Sequence, residues 1–206
     1  MKPITVDIFH DTVCPWCRIG IHSMRLAAKE LGAPVEFRFR SFFLDPIIPF
    51  EGVPFAPLME EKIGGKEQMD LVHEQITKTG ASIGVEFDFS KIALMPNSLM
   101  SHQVIRLAPD KYRMDVVDAI EHAYFVEGRD IGDREVLLDI AEKAGLDREY
   151  ISEFVGTEVR LKEIDEDIRQ AFEIGVSQIP FFVINGKYAV RGAQPPQAFL
   201  QALKTV

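Results

Sequence analysis

Apolar and polar positions alternate in TVDIF near the start of the chain, the period of a half-buried strand, and PVEFRFRSFF repeats the alternation from Pro34. Between them, Pro15 to Leu31 reads as a helix. Strand, helix, strand in the first forty or so residues make one βαβ unit. SFFLDPIIPFEGVPFAPLME follows, and Pro46, Pro49, Pro54 and Pro57 exclude a long helix or a central strand there. From about Ala56 to Gly175 the period is helical. MDVVDAIEHAYF puts Val116, Val117, Ile120, Ala123 and Tyr124 on one face, and EVLLDIAEKAGLD stops at Gly145 before an aspartate suited to open the next helix. VEFDFSKIALMPNSLM is irregular, with Asn97 and Ser98 placed to cap a helix. After Gly175 the pattern reverts: IPFFVI is a short buried strand, Asn185-Gly186 a hairpin turn, YAV its partner and PPQAFLQAL a closing helix.

The order βαβ, helices, ββα predicts an α/β chain: a thioredoxin fold with a large all-helical insertion between its N-terminal βαβ and C-terminal ββα units. Residues 1–55 and 176–206 would form the discontinuous thioredoxin-like domain, and 56–175 the insertion.

Composition narrows the function. With 47% hydrophobic and 27% charged residues in 206, the chain reads as globular. Its 32 Asp and Glu against 23 Lys and Arg, net −9, argue against a nucleic-acid partner. No run approaches the roughly 18 apolar residues of a membrane span, and MKPITVDIF lacks the pattern of a secretory signal. A cytoplasmic location without membrane contact is expected.

The only two cysteines, Cys14 and Cys17, stand at the junction of the first strand and first helix. A thiol at a helix N-terminus ionises more readily than a free one, and the thiolate is the form that attacks disulfides. Cys17, one turn on, is placed to attack a mixed disulfide formed at Cys14. Pro15 suits the first turn, and Trp16, the lone tryptophan, is expected over the site and partly exposed. Two alternatives stand beside this: a pair of inert buried thiols, and a zinc site built from His10, Cys14, Cys17 and His22. Against the second, His22 lies about 140° around the helix axis from Cys17. No metal is expected.

VSQIPFF supplies a second signal. Pro180 opens an apolar strand and belongs either at a strand edge in trans or in a cis turn. In the thioredoxin layout it faces the cysteines, and a cis Ile179-Pro180 bond frees the Ile179 backbone to pair with an extended substrate.

CPWC after a strand, a long helical insertion, and IPFFVINGKYAVRGAQPPQAFLQAL together resemble the DsbA-type thioredoxin-fold oxidoreductase family, in its cytoplasmic FrnE-like branch. GDREVLLDIAEKAGLD and PNSLMSHQVIRLA read like that branch as well. The resemblance implies Cys14 as nucleophile, Cys17 as resolving thiol and Pro180 as the cis-proline; Ile179, Trp16 and Pro15 are the residues expected to face substrate. Related glutathione-dependent isomerases and transferases typically have serine in place of Cys14 and a G-x-D-R-like stretch where this chain has RGAQPP.

The expected function is therefore a cytosolic dithiol-disulfide oxidoreductase or isomerase acting on protein or small-molecule thiols and disulfides. It needs no bound cofactor, and glutathione is a candidate co-substrate. The alternatives are a glutathione-dependent isomerase or transferase on the same fold, and a non-catalytic redox-sensing binding module. The buried acid that many thioredoxin-like enzymes carry six residues before the first cysteine is here Ile8, and strand parity sends Asp7 and Asp11 to the opposite face. His10 has a suitable pKa for moving the proton, although an exposed structural histidine is the simpler reading. Arg18 could add positive field to Cys14, although a solvated helix arginine is the simpler reading, and His73, His102 and His122 read as structural. The loop bearing Phe42, Phe43, Ile47, Ile48, Phe50 and Phe55 either packs on the insertion or lines a peptide groove. Asn97 and Ser98 are weaker candidates for contact with a glutathione-like ligand.

Overall fold

The computed structural model describes residues 3–205. In chain order the elements are β1 (Ile4–His10), α1 (Pro15–Leu31), β2 (Val35–Ser41), β3 (Val53–Pro54), α2 (Phe55–Ile63), α3 (Lys66–Ala81), a 3-10 turn (Phe89–Lys91) and β4 (Leu94–Met95). There follow α4 (Leu99–Leu107), α5 (Asp110–Phe125), α6 (Arg134–Lys143), α7 (Arg148–Phe154), α8 (Leu161–Glu173), β5 (Phe181–Ile184), β6 (Tyr188–Arg191) and α9 (Pro196–Lys204). No helix among the described residues is long and apolar enough to cross a membrane.

The chain divides into two compact units, 1–44 with 162–206, and 45–161. The first is a thioredoxin-like α/β unit around a four-stranded sheet of order β2-β1-β5-β6. β1 runs parallel to β2, with Ile4 opposite Val35 and His10 opposite Ser41, while β5 is antiparallel to both β1 and β6. The strand alternation seen in the sequence sets this register, since a one-residue slip would turn Val6 and Ile8 out of the core. Asn185 and Gly186, at φ 51° and 68°, make the tight turn between β5 and β6. The Asn185 side chain also accepts from Thr5 N–H, at 3.0 Å, which ties the hairpin to β1. α1 buries Cys17, Ile19, Gly20, Ile21, Met24 and Ala27 and ends at Gly32, φ 70°. Phe199 of α9 meets Phe182 of β5 edge-on at 4.7 Å.

The unit boundaries lie at 44/45 and 161/162, where the sequence pattern suggests 55/56 and 175/176. α8 accounts for the second difference. Its Asp167 accepts from Ser41 N–H at 2.9 Å and from Arg40 Nη1 at 3.3 Å, and Arg40 also donates to Asp7 at 2.8 Å. These bonds hold α8 to β1 and β2 of the thioredoxin-like unit.

The insertion is helical with one exception. β3 and β4 form a two-residue antiparallel ladder, Val53 opposite Met95 and Pro54 opposite Leu94. Strands this short carry no periodicity, so the expectation of an all-helical block missed them. The half-buried His73 ring stacks on Phe89 at 4.0 Å and on Phe55 at 5.8 Å. Gln103 closes a loop by donating to the Thr157 and Val159 carbonyls and accepting from Gly156 N–H. Asn97 caps α4, accepting from Leu99 N–H at 3.0 Å and donating to the Ile48 carbonyl at 2.7 Å; Ser98 makes no side-chain cap.

Candidate active site

β1 ends at His10, a buried turn follows, and Cys14 becomes the N-cap residue of α1 with Pro15 in its first turn. Proline has no N–H to leave unpaired there, and its fixed φ starts the helix. Cys14 N–H donates to the Asp11 carbonyl at 3.1 Å, and the Cys14 carbonyl accepts from Cys17 N–H at 3.0 Å and Arg18 N–H at 3.3 Å. Neither sulfur is in a disulfide; one belongs to the N-cap residue and one to the third helical position. The Cys14 side chain makes no capping hydrogen bond, and a negative charge developing on its sulfur meets the positive dipole end of α1.

Across α1 stands the wall formed by Pro180. The Ile179-Pro180 bond is cis. A Cβ built on Gly20 would lie 2.8 Å from Pro180 Cγ, 3.2 Å from Phe182 Cζ and 3.4 Å from Ala193 Cα, so this helix face is bare to admit the proline ring. Gly20 follows Cys17 by three residues, which puts both on that face. The Pro180 carbonyl accepts from Gly192 N–H at 2.8 Å. Among the described residues, the Ile179 backbone takes part in no hydrogen bond.

Exposure departs from expectation at two residues. The sequence suggests that Cys14 is open to solvent, yet it is 3% exposed, at the end of a turn whose Asp11, Thr12 and Val13 are buried as well. Cys17 is fully buried, while Pro15 and Trp16 are half-buried, Trp16 as expected. His10 is fully buried instead of exposed: it is the last residue of β1, paired with Ser41, and its ring lies edge-on to Phe39 at 5.2 Å.

Asp11 is the residue that strand parity misjudged. β1 ends before it, so alternation no longer applies, and the side chain turns inward with 1% exposure. Its carboxylate accepts from Leu44 N–H at 2.7 Å and Val13 N–H at 3.4 Å, pinning the dithiol turn to the end of the first segment of this unit. Gly20 had a sequence signal that went unused, a glycine inside a helix marking close approach. Among the described residues, no group of three or more His, Cys, Asp or Glu is arranged to hold a metal ion. In the insertion, burial lowers the pKa of His73.

A family model for the DSBA-like thioredoxin domain matches residues 5–204, nearly the whole chain. The chain belongs to the DSBA-like thioredoxin family. The uncharacterized protein YwbO of Bacillus subtilis (strain 168) is 22% identical to it over 202 residues, 97% of this chain and 96% of that one. The probable DsbA oxidoreductase SCO1869 from Streptomyces coelicolor matches with a TM-score of 0.89 at 29% identity, over 98% of this chain and 89% of the other. The cytosolic disulfide reductase DsbM from Pseudomonas aeruginosa matches with a TM-score of 0.70 at 19% identity, over 98% and 97%. Its structure with GSH gives 0.69 at 19% identity, over 98% of each chain. At that identity the likeness to DsbM is one of fold alone. The DSBA-like family and its thioredoxin fold give this chain an oxidoreductase frame, with two neighbouring thiols at the head of its first helix.

Proposed function

We propose that the chain is a cytosolic dithiol-disulfide oxidoreductase of the FrnE-like kind, exchanging disulfides through Cys14 and Cys17. The observation that carries this reading is the placement of one cysteine at the N-cap of α1 and the other at its third position. The Cys14 thiolate attacks one sulfur of a substrate disulfide; a Cys14–substrate bond forms and the other substrate sulfur leaves as a thiolate. The Cys17 thiolate then attacks Cys14 Sγ and expels the second substrate sulfur. The substrate is reduced by two electrons, the cysteine pair is oxidised to a disulfide, and the protons of the two cysteine thiols end on the two substrate thiols. The reverse sequence oxidises a substrate dithiol.

Pro180, with its ring against the face of α1 below Cys17, is the wall against which substrate lies. The unengaged Ile179 backbone offers an N–H and a carbonyl to an extended chain, and Trp16 and Pro15 form the opposite lip. Glutathione is the small-molecule co-substrate, a reading supported by the GSH complex of DsbM.

The test is trapping by glutathione disulfide, read by intact mass. Cys17→Ser should accumulate a one-glutathione adduct on Cys14, and Cys14→Ser should accumulate little, with exchange at background in both. Equal trapping in the two variants would overturn the assignment of roles, and undiminished exchange in Cys14→Ser would overturn the mechanism.

A further inference from the structure

The negative charge of the chain is concentrated in the insertion. Residues 45–161 hold 23 Asp and Glu against 12 Lys and Arg, net −11, whereas the two segments of the other unit hold 9 against 11, net +2. Within the insertion lies a groove of about 640 Å³ whose apolar lining is mainly Ile47, Ile48, Pro49, Pro54, Pro57 and Leu58. That volume is in the range of ligand-binding clefts, roughly 300–1,000 Å³. Ile47 is 85% exposed, and Phe50, three positions on, is 67% exposed. Three of the lining residues are prolines, which have fixed φ and little side-chain freedom to lose, so this surface is ordered before any ligand arrives.

The charges around the groove are unbalanced. Asp45 is neutralised by Lys62. Glu61 on the rim and Glu51 in the adjoining loop are exposed, and neither has an ion-pair partner among the described residues. An occupant must therefore bring apolar groups for the floor and positive charge for the rim. An extended polypeptide does so with period two, every other side chain facing the floor and the long lysine or arginine side chains between them bending back over the rim to the carboxylates. A polyanion is repelled by the same surface.

We propose that this groove docks an extended segment of a polypeptide substrate in which apolar residues alternate with lysine or arginine. The inference rests on the oxidoreductase reading of the dithiol and deepens it by naming a substrate class. Docking through the insertion raises the local concentration of a basic, unfolded chain whose disulfide then exchanges with Cys14.

The probes are two fluorescein-labelled, cysteine-free ten-residue peptides, one alternating Val and Lys, the other Val and Glu. Anisotropy titrations use the full chain and its Ile47→Asp and Glu61→Lys variants, both at exposed positions. The Val/Lys peptide should bind the wild type at least tenfold more tightly than the Val/Glu peptide and weaken as salt rises. Each variant should weaken it at least fivefold while exchanging glutathione disulfide at the wild-type rate. Equal binding of the two peptides, or binding unchanged in both variants, overturns the docking surface. Absence of glutathione disulfide exchange by the wild type instead overturns the oxidoreductase reading, and the binding comparison still decides the groove.

Discussion

The two units solve different problems with different charge. The thioredoxin-like unit is nearly neutral, and its more buried ionic groups are used locally: Arg40 bridges Asp7 and Asp167, and Asp11 holds two backbone N–H groups. The insertion is net −11, and part of that charge, as at Glu51 and Glu61, is left facing water. Charge that is spent inside a unit fixes geometry, whereas charge left outside selects what approaches. The dithiol sits in the first kind of unit, where a displacement of an ångström matters; the apolar groove sits in the second.

Two glycines test this division most strongly. Gly20 in the first unit and Gly80 in the second are equally intolerant of a Cβ, the latter meeting Phe87 and the Val85 carbonyl at 2.7 Å. Each change to alanine should cost about 1–3 kcal/mol of stability in urea titrations. Gly20→Ala should also lower glutathione disulfide exchange several-fold, because the atom displaced belongs to Pro180. Gly80→Ala should leave exchange at the wild-type rate in conditions where the chain is folded. If both variants lost exchange to the same degree, the division of labour would fail.

A smaller effect is expected at Asp11. Asp11→Ala leaves Leu44 N–H without its acceptor, and water reaches that segment in part, so about 1 kcal/mol should be lost. Amide hydrogen exchange at Leu44 should accelerate, and that of the insertion helices should not.

The smallest effect is pH-dependent and belongs to the insertion. His73 is packed between Phe55 and Phe89, and burial lowers its pKa in the folded state below the usual 6.5. The unfolded chain therefore binds the proton more readily. The stability that neutral His73 contributes is complete above about pH 6.5 and is lost as pH falls toward the lowered value. His73→Phe should shrink the fall in melting temperature between pH 7.5 and 5.5; a fall of undiminished size would show that other groups carry it.

Much of the sheet unit is legible in the sequence because special residues mark its joints. α1 starts at Pro15 and ends at Leu31 as its pattern indicates, Asn185-Gly186 turns the hairpin, and Pro180 stands in cis at the head of β5. Helical periodicity in the insertion shows that helices exist but not what they pack on. α8 has the same period as its predecessors, and what ties it to the sheet unit is invisible to periodicity: Asp167 on Arg40 and on the Ser41 N–H, 126 or more positions away, and Phe172 against Phe42. Asp11 was hidden by a rule applied one residue beyond the end of its strand. The burial of Cys14 depends on how the turn before it folds, and Asp11-Thr12-Val13 carries no periodic signal of an inward fold.

The strand order β2-β1-β5-β6 has a consequence for how the protein is made. β1, in the middle of the finished sheet, is translated first, and its partner β5 comes from the far side of the insertion. At roughly 5–20 residues per second, the ribosome emits Pro180 roughly 10–30 s after Cys14. For that interval the nascent βαβ segment has an open strand edge and a thiol pair without its wall, while the intervening helices are completed one after another.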